Sequence, residues 1–285
     1  MIPFPPRVLP KQMCNIERLV DALTMRNLDG VVVSSPYNTY YLSGFKGIAH
    51  KSDEPRPYAV VLSRHQPDHP ILVVADYYVG SLISQPTWIE DIRAFRAVML
   101  PLDLPAQDGD LERFLPRGID ELPWAGNLRA HYANNIAQSC REAMADLGLN
   151  SGRVAFDDLR FGQQLEMETI EVVDGYDPMM YARCVKTDAE IELLKRATTV
   201  NEQAICRSIK TWGPGMMWQD FNHEYHKSVI ELGGFVRDPG AMVWGNPCGG
   251  DPAVTLHSRL DDFVMEPGMN ILFDCHGTLD LYCWD

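Results

Sequence analysis

The chain has 285 residues, of which 46% are hydrophobic, enough for the core of one large domain or of two medium-sized ones. Its 25 basic and 39 acidic residues give a net charge of −14, which argues against nucleic acid or an anionic membrane as the main partner. No apolar run approaches the roughly 18 residues of a membrane-spanning helix. The N-terminus also lacks the basic and then apolar pattern of a secretory signal.

Seven cysteines are scattered along the chain without a Cys-x-x-Cys pair. An odd, dispersed set predicts reduced thiols and a cytoplasmic protein, because a disulfide framework requires paired cysteines. Cys275 and Cys283 lie near the acidic residues discussed below. We interpret Cys275 as a small buried residue, since side chains alternate along a strand and its own would point away from that of Asp274.

The first half of the chain alternates between helical and strand-like patterns. Apolar residues recur at helical spacing over residues 16–23, before a buried strand at 31–33. Strand-like runs follow at 58–62 and 71–75, separated by a turn-rich segment.

Residues 103–126 are rich in Pro, Gly and Asp and predict an irregular insertion. A helix over 128–147 and a strand over 154–156 continue the alternation, which favours an α/β domain with a sheet.

The pattern changes near residue 177, where we place a domain boundary between residues 1–177 and 178–285. The sequence Thr187-Asp-Ala-Glu190 has the form of a capping box that opens a helix. Apolar residues line one face of that helix: Ile191, Leu194, Ala197 and Ile205. It is broken at 212–215, and a second helix over 217–232 precedes strands around 241–243 and 254–257.

Two aspartates near the end of the chain, Asp274 and Asp285, stand eleven positions apart. Residues 271–273 predict a strand, 277–280 a turn region and 281–284 a returning strand. Such a hairpin brings its outer carboxylates together, where they repel unless a cation or a shared proton lies between them. Because Asp274 follows three large apolar residues, we expect it to be buried and to need a partner.

Three motifs in this order resemble the creatinase, aminopeptidase P, prolidase and methionine aminopeptidase superfamily. The first runs from Leu28 to Phe45 and contains Ser-Pro-Tyr-Asn and Tyr-Leu-Ser-Gly-Phe. The second is Arg183-Cys-Val-Lys-Thr-Asp, which continues to Lys195, and the third is Gly268-Met-Asn-Ile-Leu-Phe-Asp274 followed by Asp285. The resemblance implies an α/β N-terminal creatinase-like domain followed by the first half of an α+β pita-bread catalytic domain.

The resemblance also implies a site. Asp274 and Asp285 would bind a pair of divalent metal ions, whether manganese, cobalt, iron or zinc, and His257 would contact the substrate. The family completes its site with a histidine and two glutamates C-terminal to the second aspartate, so we expect this chain to be the first part of a longer enzyme and inactive alone. The expected substrate is a small peptide with proline in second position, and the expected assembly is a homodimer.

Other readings stay open on the same scaffold. One is a small-molecule enzyme similar to creatinase, ectoine hydrolase or dimethylsulfoniopropionate lyase, and another is a binding protein without catalysis. The sequence His223-Glu-Tyr-His226 has the wrong spacing for a zinc protease and is interpreted as the surface of an amphipathic helix. Asn38 and Tyr40 are interpreted as turn and core residues.

Overall fold

The computed structural model describes residues 8–47, 57–97, 111–236, 243–245, 262–269 and 271–284. The chain divides into two compact units, Met1–Thr187 and Asp188–Asp285. No helix within the described ranges is long and apolar enough to cross a membrane.

The first unit is built on a six-stranded mixed sheet with the order β4-β3-β2-β1-β5-β6. Neighbours β1–β2 and β2–β3 are antiparallel, and the other neighbours are parallel. Strands β1, β2 and β3 are buried along their whole length, which explains why they appear in the sequence as continuous apolar runs. The predicted strands are confirmed: β1 (Gly30–Val33), β2 (Tyr58–Ser63), β3 (Ile71–Ala75) and β5 (Gly152–Phe156), joined by β4 (Asp91–Phe95) and β6 (Ile170–Asp174).

Helices connect these strands. Helix α5 packs against β2, β3 and β4, helix α6 packs against β5 and β6, and α1 packs against α7. The expected irregular insertion contains short 3-10 turns at Leu111–Arg113 and Ile119–Glu121, and its residues 103–110 lie outside the described part. The α-helices are α1 (Ile16–Met25), α2 (Pro36–Ser43), α3 (Ser81–Ser84), α4 (Ala125–Ala130), α5 (Ile136–Asp146), α6 (Leu159–Gln164) and α7 (Tyr176–Cys184).

The prediction of one helix over residues 128–147 is wrong, because the chain forms two helices, α4 and α5, with a break between them. In that break Ala133 forms a parallel bridge with Phe95 and so extends the edge of β4. The side chain of Asn135 then accepts a hydrogen bond of 2.9 Å from the backbone N–H of Gln138. An asparagine that caps a new helix in this way competes with continuation of the previous one.

The segment after β1 forms helix α2, where the motif predicted a turn. Proline occupies the first turn of this helix, where the N–H that it lacks is not needed. Asp157, which follows β5, accepts hydrogen bonds from the backbone N–H of Ser34 at 2.8 Å and from the side-chain amide of Asn38 at 3.0 Å. This carboxylate stabilises the start of α2. Asn38 thus has a structural contact and Tyr40 is buried, as predicted.

The division between the two units falls between Thr187 and Asp188, C-terminal to the boundary predicted near residue 177. Helix α7 belongs to the first unit because it packs against α1. The Nε atom of Arg18 donates a hydrogen bond of 2.7 Å to the carbonyl of Tyr181, and its guanidinium lies 3.9 Å from the centroid of the tyrosine ring. The change of pattern near residue 177 therefore marks a strand-to-helix turn inside this unit.

The second unit begins with two helices that pack against each other, α8 (Asp188–Thr211) and α9 (Trp218–Glu231). Both were predicted. Strands β11, β10 and β7 form a three-stranded antiparallel sheet, while β8 and β9 pair separately. The strand expected near 241–243 corresponds to β8, and the one expected at 254–257 lies outside the described residues. The strands are β7 (Phe235–Val236), β8 (Val243–Gly245), β9 (Ile271–Phe273), β10 (Gly277–Leu279) and β11 (Tyr282–Trp284).

The buried face of α8 differs from the predicted one. Of the four apolar residues expected there, Ala197 is buried but Ile191 is exposed, and the other two are half-buried. The prediction was displaced because apolar residues occur on more than one side of α8, and it selected a side next to the buried one. The observed face also includes polar side chains that have hydrogen-bond partners inside the unit. The buried residues are Glu190, Leu193, Ala197, Val200, Asn201, Ala204 and Ser208.

Candidate metal-binding hairpin

The predicted hairpin between residues 271–273 and 281–284 does not form, because these two strands lie in different sheets. Residues 271–273 are a strand, as expected, yet β9 pairs with β8. The returning strand β11 pairs instead with β10, a segment predicted to be a turn. The turn consists of Asp280 and Leu281, with φ angles of 49° and 66°. Two left-handed residues in a two-residue loop match the twist of the paired strands, although a leucine in that region is strained.

Packing explains why Gly277 is a strand residue. The indole of Trp284, its partner in the β10–β11 register, lies across it, so a Cβ on Gly277 would overlap the ring. The same indole approaches Gly234, where a Cβ would come within 2.7 Å of Trp284 Cη2. These glycines make room for one large side chain under the hairpin, and their presence in the sequence suggested a turn instead.

Asp274 directly follows β9, and its carboxylate contacts a histidine. The Nε2 atom of His276 lies 2.8 Å from Asp274 Oδ1. The Asp274 side chain is 31% exposed, so the expectation of a buried carboxylate is wrong. The expected partner, a cation or proton shared with Asp285, stays a prediction. The strand ends before Asp274, which places it at the surface of the unit. Solvent and ions can therefore reach this carboxylate.

The other two predicted site residues, Asp285 and His257, lie outside the described residues, and their distances to Asp274 stay predictions. Among the residues that the structure describes, no group of three or more His, Cys, Asp or Glu side chains has the arrangement of a metal site. Asp274 and His276 are thus a pair and not a complete ligand set.

None of the described cysteines forms a disulfide, which agrees with their dispersed pattern. Cys275 is buried and Cys283 is exposed. The interpretation of Cys275 as a small buried residue is confirmed.

The two histidines of α9 do not share one environment. His223 is exposed, as predicted, whereas His226 is half-buried with its ring 5.9 Å from that of Tyr225. Burial, with a smaller contribution from nearby His223, lowers the pKa of His226. The neutral imidazole is therefore favoured at this position.

A network of buried hydrogen bonds connects the hairpin to both helices. The hydroxyl of Tyr225 on α9 donates to Asn201 Oδ1 on α8 at 2.8 Å and accepts from Nε1 of Trp284 at 3.2 Å. The hydroxyl of Tyr282 on β11 donates to Oε1 of the buried Glu190 on α8 at 2.7 Å. Burial is the main cause that raises the pKa of Tyr225, so this hydroxyl stays protonated at neutral pH.

Sequence reasoning missed the residues around Asp274. The Asp-x-His spacing of Asp274 and His276 was a usable signal, because residues two apart in an extended chain project to the same side. Tyr225, Asn201 and Glu190 carried no such signal, since their partners are distant in the sequence.

A comparison with protein-family models identifies the family of this chain. Residues 15–174 match the model of the creatinase/prolidase N-terminal domain. The chain therefore belongs to the creatinase/prolidase family. A search of curated protein sequences found no significant match.

Solved structures with the same fold include peptidases of three organisms. The X-Pro aminopeptidase from Thermotoga maritima is 17% identical with a TM-score of 0.59, and 95% of this chain aligns with 63% of that one. The prolidase from Pyrococcus furiosus is 13% identical with a TM-score of 0.55, and 93% of this chain aligns with 62% of that one. The Xaa-Pro dipeptidase from Bacillus anthracis is 18% identical with a TM-score of 0.56, and 94% of this chain aligns with 62% of that one.

These similarities extend over both units, so they confirm the predicted fold class. The first unit is the creatinase-type α/β domain and the second corresponds to the opening part of a pita-bread domain. The chain spans about 62% of the length of the solved structures it matches, which are longer than its 285 residues.

Proposed function

We propose that this chain supplies the N-terminal domain and the first metal-binding residues of a hydrolase of the Xaa-Pro aminopeptidase or prolidase type. The observation that carries the proposal is the solvent-accessible carboxylate of Asp274, held by His276 at 2.8 Å between β9 and β10. By the family resemblance Asp274 would be the first aspartate ligand, and the chain shares its fold with X-Pro aminopeptidase and prolidase structures.

The donor chemistry near Asp274 fits a divalent cation. A carboxylate has several lone pairs, so contact with His276 at Oδ1 still leaves acceptor capacity for a metal ion. An oxygen-rich site with an imidazole nearby suits manganese, cobalt, iron or zinc. By the family resemblance, Asp285 would be the second aspartate ligand.

Two such cations, when bound, would supply an activated water and polarise the amide carbonyl. The roles of the protein groups follow from their chemistry. Asp274 and Asp285 would bind the cations and offset their positive charge. His257 would donate a hydrogen bond to the scissile carbonyl. The substrate class, a peptide with proline in second position, comes from the named relatives. The expected homodimer is also part of this proposal.

The test compares two aspartates of one segment in the full-length product of the gene. Asp274→Asn and Asp280→Asn remove the same charge, and Asp280 lies in the β-turn, where asparagine tolerates the left-handed backbone. We expect hydrolysis of an Xaa-Pro dipeptide by the wild type, loss with a chelator and recovery with Mn²⁺. Asp274→Asn should reduce turnover at least about 100-fold, while Asp280→Asn should keep it. Equal activity of Asp274→Asn and wild type would contradict the proposal.

A further inference from the structure

The first unit has a groove at the edge of the sheet where the parallel strands β3 and β4 begin. Its volume is about 710 Å³, which lies within the range of sites that hold small molecules. The β2–β3 loop, the segment before β4 and the helices α4 and α5 contribute its walls. None of the residues that line this groove belongs to the proposed metal site, so it can be considered independently of the proposed function.

The most buried charged residue of the groove is Arg93, whose side chain is 3% exposed. Its Nε and Nη2 atoms donate to the two oxygens of Asp91 at 3.2 and 2.9 Å, and its Nη1 donates to Oδ2 of Asp146 at 2.7 Å. A guanidinium has five N–H groups, so these contacts use three of them. The other two have no hydrogen-bond partner among the described residues. A buried donor without a partner is unfavourable, and these N–H groups therefore favour a ligand with acceptor oxygens.

The charge of the groove argues against an anion as that ligand. Asp91 and Asp146 outnumber the single guanidinium that they flank, and Asp68 and Glu90 add two further carboxylates to the walls. A cleft with an excess of one charge repels ions of the same sign. A phosphate or a carboxylate is therefore disfavoured, although Arg93 alone would attract it.

A cation also fits the groove less well than a neutral molecule. It would lie beside the positive charge of Arg93 and would leave the two N–H groups without an acceptor. Its carboxylate partners would be Asp68 and Glu90, which are both exposed. Ion pairs at exposed positions contribute little free energy, because water screens them.

A hydroxyl group satisfies both sides of this arrangement, because it donates one hydrogen bond and accepts others. It can accept from Arg93 and donate to Asp91 or Asp146, whose carboxylates keep unused lone pairs. The amide nitrogen of Asn127 on α4 lies 3.5 Å from Oδ1 of Asp91 and adds a further polar group to the same wall. The half-buried indole of Trp88 supplies a flat apolar surface.

We propose that this groove binds a neutral, polyhydroxylated small molecule, namely a free sugar of one or two rings. Asp91, Arg93 and Asp146 offer acceptors and donors in alternation to neighbouring hydroxyls of the sugar. Trp88 packs against the carbon face of the sugar ring. The site binds its ligand without making or breaking a covalent bond.

The experiment is a calorimetric titration of the full-length gene product with glucose, maltose and sucrose, and with spermidine and inorganic phosphate as charged comparisons. We expect at least one of the three sugars to bind with a Kd below about 1 mM, and both charged probes to bind at least about 10-fold more weakly than that sugar. The inference is overturned if no sugar reaches this affinity. It is also overturned if spermidine or phosphate binds as tightly as the best sugar.

Variants of the lining residues locate the binding. Arg93→Lys keeps the positive charge but removes the planar fork of N–H donors, so it should weaken sugar binding at least about 10-fold. A folded Arg93→Lys protein with wild-type affinity overturns the inference, because the sugar then binds elsewhere or by another contact. Asn127→Ala changes an exposed residue of the wall and should weaken binding at least about 3-fold.

The control is Asn150→Ala, since Asn150 is an exposed asparagine of the same unit that does not line the groove. It should bind the sugar as the wild type does, and an equal loss in Asn150→Ala and Asn127→Ala overturns the inference. Melting temperatures show whether each variant is folded. If Arg93→Lys does not fold, Asn127→Ala decides alone, because wild-type affinity in that variant overturns the inference and weaker binding supports it.

Discussion

The imidazole of His276 contacts the carboxylate of Asp274 through Nε2 and Oδ1, 2.8 Å apart. This contact orients the carboxylate that the proposal assigns to a metal ion, in the way that partner groups commonly orient metal ligands. The relationship was not predicted from the sequence, and it can be tested directly.

The first prediction concerns this contact. His276→Ala should weaken Mn²⁺ binding about 10-fold, because Asp274 loses the group that orients it. His223→Ala is the control, since His223 is an exposed histidine of the same unit. Calorimetric titration of both variants checks the difference. Equal affinities would show that His276 does not support the site.

The second prediction concerns the glycine under the Trp284 indole. Gly277→Ala should destabilise the protein by about 2 kcal/mol or more, since the added methyl group overlaps the Trp284 ring and lies 2.8 Å from the carbonyl oxygen of Phe235. Gly213→Ala is the matched control, because a Cβ there meets no atom within 4 Å. Chemical denaturation measures both. A Gly277→Ala variant as stable as Gly213→Ala would contradict this packing.

The third prediction concerns the extent of the first unit. A fragment of residues 1–187 should be more stable than one of residues 1–177 by at least about 2 kcal/mol, because only the longer one retains α7 with its buried Met179. It also retains the contact of Arg18 with Tyr181. Thermal unfolding followed by circular dichroism compares the two fragments. If they melt at the same temperature, α7 contributes nothing to the first unit.

The fourth prediction concerns pH and the buried Asp76 in the first unit. Asp76 is 2% exposed, and burial raises its pKa, although hydrogen bonds from Tyr132, Tyr77 and Ala97 oppose this effect. A carboxyl whose pKa is higher in the folded state stabilises folding below its unfolded pKa, and this contribution is lost as pH rises through the folded value. Relative to wild type, Asp76→Asn should therefore gain stability between about pH 4 and 7.

Melting temperatures measured across this pH range check the Asp76 prediction. Asp68→Asn serves as the control because Asp68 is exposed. The quantity compared is the difference in melting temperature between Asp76→Asn and wild type. Subtracting the two values cancels the effect of titrating groups that both proteins share. A difference that stays constant with pH would contradict the effect of burial.

Much of the secondary structure of the first unit was predictable from local sequence patterns. The strands β1, β2 and β3 are mostly apolar runs and are buried along their whole length, and β5 was recognised from its buried residues Val154 to Phe156. The break between α4 and α5 was missed because an apolar count overlooks a capping asparagine, here Asn135. The face of α8 was displaced because that helix carries apolar residues on more than one side, and the buried side also includes the polar Glu190 and Asn201.

The candidate site was predictable only in part. Three motifs, one of them the pair Asp274 and Asp285, predicted the family, and the family match over residues 15–174 confirms it. The class of site stays a prediction. The strand that pairs with β11 was not predicted, because Gly277 suggests a turn when the Trp284 ring that covers it is not considered.

The sequence by itself determined the family, the strands β1, β2, β3, β5 and β9 and the helices α8 and α9, because these depend on residues close together in the chain. Only the tertiary structure decided that β10 pairs with β11 and that Tyr225 contacts Trp284, its partner 59 residues away. Hydrogen bonds between distant residues form only when packing brings buried polar groups within reach of each other, and their directions must then match. Local sequence patterns therefore do not predict which distant residues form these hydrogen bonds.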